Sequence, residues 1–228
     1  MAARANPLFD IAPAAAPAGD PSPPSTNALA RLAHIHADAV ETARLANLLG
    51  RSLYAPVALA AMATASLALG GGASLSQTVA WTILMAVGLL AMLRAYAFAI
   101  RQPFERSALH AFAQDMSACL LYAGFAWGAG AFLALPASAS GGAALLFAAA
   151  PVIAIAVLLR ERQAVLLFLA PVAGLTSLAC VVRPFAGGAL AASLVLMACT
   201  AIAIAMQLVA RARETRAGTV LPHGLIAS

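Results

Sequence analysis

The sequence predicts an all-α protein that crosses a membrane six times, on three observations. Apolar residues make up 63% of the 228 and charged residues only 9%, whereas a soluble domain carries about 25% charged residues. The apolar residues gather into six long runs, and the mean hydropathy is +0.92. The runs lack the strict alternation of a membrane barrel strand, and in lipid only helices or closed barrels satisfy the backbone. The arginines fall at the ends of the runs, so the expected architecture is a polytopic bundle with lipid as its main solvent.

Residues 1–27 carry Pro7, Pro13, Pro17, Pro21, Pro23 and Pro24 among Ala and Ser. With no continuous apolar core before a cleavage site, this stretch is not read as a signal peptide. It is expected to be a disordered tail. Thr26 or Asn27 then suits the cap of a helix over 28–51. On that juxtamembrane helix Arg31, His34, Asp38 and Glu41 recur at helical spacing, with Leu32, Ile35 and Val40 on other faces. Such a ridge reads first as a solvated face and, more sharply, as a cytoplasmic docking or dimerisation surface.

The apolar runs lie at 52–69, 79–100, 115–135, 143–159, 164–182 and 189–209. Each approaches or exceeds the length that crosses about 30 Å of hydrocarbon at about 1.5 Å per residue. A helix beginning near Pro103, a residue that suits a first turn, is expected to run on through His110 and Phe112 into the third span. Gly218, Pro222 and Gly224 are expected to stop the last helix within a short tail, 211–228.

Every basic residue is an arginine. All but Arg183 fall on one side of the predicted bundle, which the positive-inside bias makes cytoplasmic. An even number of spans returns both termini to that side. The opposite side holds three short glycine-bearing connections, Gly70-Gly71-Gly72, Gly141-Gly142 and Gly187-Gly188, so the spans are expected to form three hairpins. The bias towards Arg, Ala, Gly and Pro is that of GC-rich coding and points to a bacterial inner membrane. The pI near 9.9 therefore reads as membrane topology, and nucleic acid is not an expected partner. The expected partners are the bilayer and a protein, either another chain or a second copy.

The 8 acidic residues all lie in tails, connections or span boundaries. Ion-coupled carriers place carboxylates or His inside the bundle, and His34, His36, His110 and His223 lie outside it as well. Cys119, Cys180 and Cys199 sit in apolar runs without metal-ligand spacing, as small hydrophobes do. Catalytic residues, cofactors and metals are accordingly expected to be none, and no hydrolase, protease or phosphate-loop pattern is present.

Three features inside the spans remain. Pro151 and Pro171 lie near the middle of successive spans in the similar strings AAAPVIAIAVLLR and FLAPVAGLTSLACVVR. Kinks at one depth mark either ordinary packing or a cavity, to which Thr176 and Ser177 would add hydroxyls. Gly124 and Gly128 form a GxxxG within AGFAWGAG, with Trp127 between them. Small residues at this spacing allow close helix approach, within the bundle or between protomers. Arg94, inside the end of span two, either snorkels to the headgroups or pairs with Asp115.

The strings RSLYAPVALAA, WTILMAVGLLAMLRAY, DMSACLLYAGFAWGAGAFLALP and QLVARARETR, with APV in span five, resemble the six-helix N-terminal membrane module of bacterial diguanylate cyclases and sensor histidine kinases. The likeness covers about 45–215. It implies a sensory bundle, here without an output domain. The expected function is that of a non-enzymatic inner-membrane sensory or regulatory protein acting through a partner. The alternative is a small permease or channel subunit for an apolar or weakly polar solute.

Overall fold

A computed structural model describes residues 26–69, 74–102, 105–136, 139–183 and 188–219. These are helical, with no strand among them: α1 Thr26–Ser52, α2 Tyr54–Leu69, α3 Leu75–Ala99, α4 Arg106–Leu133, α5 Gly141–Leu159, α6 Arg162–Val182 and α7 Gly188–Thr219. The Pro-rich tail up to Ser25, the connections Gly70–72 and Gly187, and residues 220–228, where Pro222 and Gly224 stand, lie outside the described residues. The chain divides into two compact units, Met1–Val40 and Glu41–Ser228.

Among the described residues six helical segments are long and apolar enough to cross a membrane. The first, His34–Ala68, is a composite of α1 and α2. Its interruption at Leu53 follows from Pro56, whose ring opposes the carbonyl four residues earlier and which has no N–H to offer it. The buried hydroxyl of Ser52 donates to the Leu49 carbonyl at 2.8 Å and supports the end of α1. With 16 residues, α2 spans about 24 Å, so the last turns of α1 are needed to complete a crossing.

Two helix starts come earlier than hydropathy alone places them, because polar caps add turns that apolar counting misses. Ser74 caps α3 with a reciprocal capping box, its hydroxyl accepting from the Gln77 amide at 3.3 Å. Ser140 caps α5 by accepting from the Ala143 amide at 3.3 Å. Gly141 and Gly142, expected in a connection, are thereby the first residues of α5.

The packing is not a string of sequential pairs. The α4 helix packs most closely on α6 and α3, α6 also on α7, and α5 on α7 and α6. The backbones of consecutive α4 and α5 come close over only a short stretch. The most enclosed side chains, among them Trp81, Trp127, Phe168, Leu120 and Met116, centre the core on α4 and α6.

Candidate functional site

Two constructions stand out: a buried seam through α4, and a polar cleft where α1, α4, α5 and α6 come together. The seam starts from the glycines. A Cβ built on Gly124 would lie 2.5 Å from the Phe168 carbonyl oxygen and 2.7 Å from Pro171 Cγ. One on Gly128 would lie 2.8 Å from the Pro171 carbonyl oxygen. Real Cβ atoms do not approach backbone oxygens so closely, so hydrogen at both positions is what lets α4 lie on α6. Of the two readings of the GxxxG, the chain uses it within the bundle, and Pro171 is the surface it grips.

Trp127 points away from that seam into an aromatic cluster. Its ring stacks on Phe147 at 5.2 Å and meets Trp81 edge-on at 5.8 Å. Gly130 leaves space for it, since a Cβ there would fall 2.5 Å from Trp81 Nε1. Both indoles are fully buried and both are hydrogen-bonded: Trp81 Nε1 donates to the Ala126 carbonyl at 2.9 Å, and Trp127 Nε1 to the Phe147 carbonyl at 2.8 Å. Phe147 is four residues before Pro151, so Pro151 withholds the amide that this carbonyl would receive in a regular helix. Trp127 supplies the donor in its place.

Pro151 and Pro171 are thus buried among packed helices. Thr176 and Ser177 are buried on α6, and neither hydroxyl has a hydrogen-bond partner among the described residues. The two cavities described below are lined by none of these four. Arg183 turns its guanidinium back onto α4, donating to the Ala131 and Leu135 carbonyls at 3.0 and 2.8 Å. It ties down the carbonyls that a helix C-terminus leaves open. Arg94 is exposed and forms no ion pair with Asp115.

The polar cleft is built from charges that stand far apart in sequence. Arg44 on α1 makes a two-point contact with Glu161, the residue that caps α6: Nε donates to Oε2 at 2.7 Å, and Nη2 to Oε1. With its carboxylate so engaged, Glu161 makes no side-chain cap to α6. Arg106 and His110, one turn apart on α4, converge on Glu41 of α1, at 3.1 and 3.7 Å. A cavity of about 350 Å³ opens among Glu41, Arg44, His110, Gln114, Glu161 and Gln163. A second, of about 250 Å³, is lined by Arg44, Asn47, Arg51, Arg160 and Glu161 with Leu48 and Leu159.

This corrects the ridge on α1. Arg31 and His34 are exposed, and His34 Nε2 lies 3.8 Å from Asp38 Oδ2, one turn along. Glu41 is partly buried and belongs to the contact with α4 instead, because Arg106 and His110 both reach it. The spacing of residues on α1 could not show this, as it contains no information about α4. Only the opposite charges of Arg44 on α1 and Glu161 between two apolar segments hinted at the rest. Among the described residues no group of three or more His, Cys, Asp or Glu side chains gathers as metal ligands would.

Compared with family models, with curated proteins and with solved structures, the chain matches none.

Proposed function

We propose that the protein is a non-enzymatic sensory or regulatory component of the bacterial inner membrane. In this reading the spans form three hairpins with both termini in the cytoplasm, and output passes through a protein partner or a second copy. The observation that carries it is the clamp on α1. Arg44 binds Glu161 at the start of α6, and Glu41 binds Arg106 and His110 at the start of α4. The same two helices are locked to each other further along by Gly124 and Gly128. A change in how α4 and α6 meet would therefore reach the polar helix α1 through named ion pairs. Such a linkage transmits a state without requiring bond chemistry at either end.

The test has two arms on the full chain. Purified protein incubated with ATP and GTP is expected to form no phosphoprotein, no cyclic dinucleotide and no hydrolysis product above a detergent blank. Robust turnover would refute the non-enzymatic reading. Photo-crosslinkers placed at Arg31, His34 and Asp38 in living cells are expected to give a discrete protein adduct, which changes when Glu41→Arg breaks the clamp. An adduct pattern blind to that substitution counts against regulation through α1.

A second reading, a small permease for an apolar or weakly polar solute, is favoured by one feature. The Thr176 and Ser177 hydroxyls are buried on α6 without a protein partner, and polar groups without partners in a bundle interior suit a solute path. Flux of small neutral solutes into proteoliposomes, lost in a T176V/S177A variant, would establish it. The absence of flux leaves the sensory reading in place.

A further inference from the structure

The 250 Å³ cleft between α1 and the end of α5 has an unusual charge inventory. Three arginines line it, Arg44, Arg51 and Arg160, against a single acidic residue, Glu161. Its carboxylate is already held through both oxygens by Nε and Nη2 of Arg44. Arg51 and Arg160 make no ion pair or side-chain hydrogen bond among the described residues. Asn47 adds an amide at the same wall. Two arginines without a partner among the described residues and an asparagine on one cleft are the composition of an anion receptor, and guanidinium forks match phosphate oxygens two at a time.

The backbone gives an independent indication. Arg160 is the one non-glycine residue with positive φ among the described residues, at 53°. A helix usually ends in this conformation on glycine, because a side chain there strains the backbone. At this end of α5 the strained place is held by an arginine that lines the cleft.

We propose that Asn47, Arg51 and Arg160 form a binding site for a phosphate group. The volume admits a phosphate with several waters, each of which occupies about 30 Å³ of liquid. Leu48 and Leu159 on the same wall suit the apolar side of a phosphodiester headgroup. Leu159, Arg160 and Glu161 stand where the apolar segments Gly141–Leu159 and Arg162–Val182 meet, and anionic headgroups are concentrated at the ends of membrane spans. A soluble phosphate presents the same chemistry, so the two sources are to be separated by experiment.

Full-length protein in neutral detergent is titrated with phosphatidylglycerol and with phosphatidylcholine, and bound lipid is counted by native mass spectrometry. Inorganic phosphate is added as a competitor. Wild type is expected to prefer phosphatidylglycerol. Arg160→Gly is expected to weaken that binding about fivefold, and R51Q/R160G about thirtyfold. Because glycine relieves the strained backbone, Arg160→Gly should melt no lower than wild type, so lost binding is not lost folding. Displacement of the lipid by submillimolar phosphate assigns the site to a soluble phosphate compound. Persistence of the lipid assigns it to a headgroup. Equal binding by wild type and Arg160→Gly overturns the proposal. So does an equal loss on Arg101→Gln, which removes an exposed arginine outside the cleft.

Discussion

The indole N–H of Trp127 donates to the carbonyl of Phe147 at 2.8 Å, the acceptor whose helical donor Pro151 removes. In a hydrocarbon setting an unsatisfied carbonyl is costly, so the proline of α5 and the tryptophan of α4 form a matched pair. Trp127→Phe keeps the ring stacked on Phe147 but discards the donor. It is expected to destabilise the protein by about 1–3 kcal/mol. Adding Pro151→Ala returns an amide to the carbonyl, so the double variant should recover part of the loss. The coupling, about 1 kcal/mol, is read from a double-mutant cycle of unfolding in mild detergent. Additive losses would show that the two residues are unrelated.

The α4–α6 seam predicts opposite responses from three glycines. Ala at Gly124 or Gly128 puts a methyl against a backbone oxygen, which cannot rotate away, and should cost about 1–3 kcal/mol. Ala at Gly174 meets nothing within 4 Å. It should be neutral or stabilise by about 0.5–1 kcal/mol, as expected for a glycine replaced in a helix interior. Thermal stability of the three variants in one detergent distinguishes them.

The Arg44–Glu161 contact is partly open to solvent, with side-chain exposures of 53% and 15%. Its worth is therefore modest. A cycle of R44A, E161A and the double variant should return a coupling of about 1 kcal/mol that declines as salt rises. A coupling unchanged between low and high salt would mean that packing, rather than charge, holds α1 there.

Thr176 and Ser177 present hydroxyls that no described residue satisfies. Under the sensory reading, T176V should raise stability by about 1 kcal/mol, since a desolvated hydroxyl is replaced by a methyl of similar shape. A marked loss of stability, measured by the same unfolding assay, would reveal a partner for the hydroxyl within the protein and remove the observation on which the solute path rests.

Membrane orientation is tested directly. Reporter fusions after Gly71, Gly141 and Gly187 should report the extracytoplasmic side, and those after Ser25, Arg106, Glu161 and Ser228 the cytoplasm. An extracytoplasmic signal at Ser228 would refute an even number of spans with both ends inside.

Helicity and the apolar segments could be read from the sequence because both depend on local quantities. Runs of apolar residues long enough to cross hydrocarbon leave the backbone no alternative but to bond within itself. Gly124 and Gly128, with Trp127 between them, could also be picked out, since small residues at a four-residue spacing permit close helix approach. What they face could not be. That Gly124 grips Pro171, that Trp127 completes the helix Pro151 interrupts, and that Glu41 leaves its own helix ridge for Arg106 and His110 are all long-range facts. Each depends on which of several similar apolar faces come together. In lipid that choice is made by close packing and by the few polar groups needing a partner, so it is settled only once the helices are assembled.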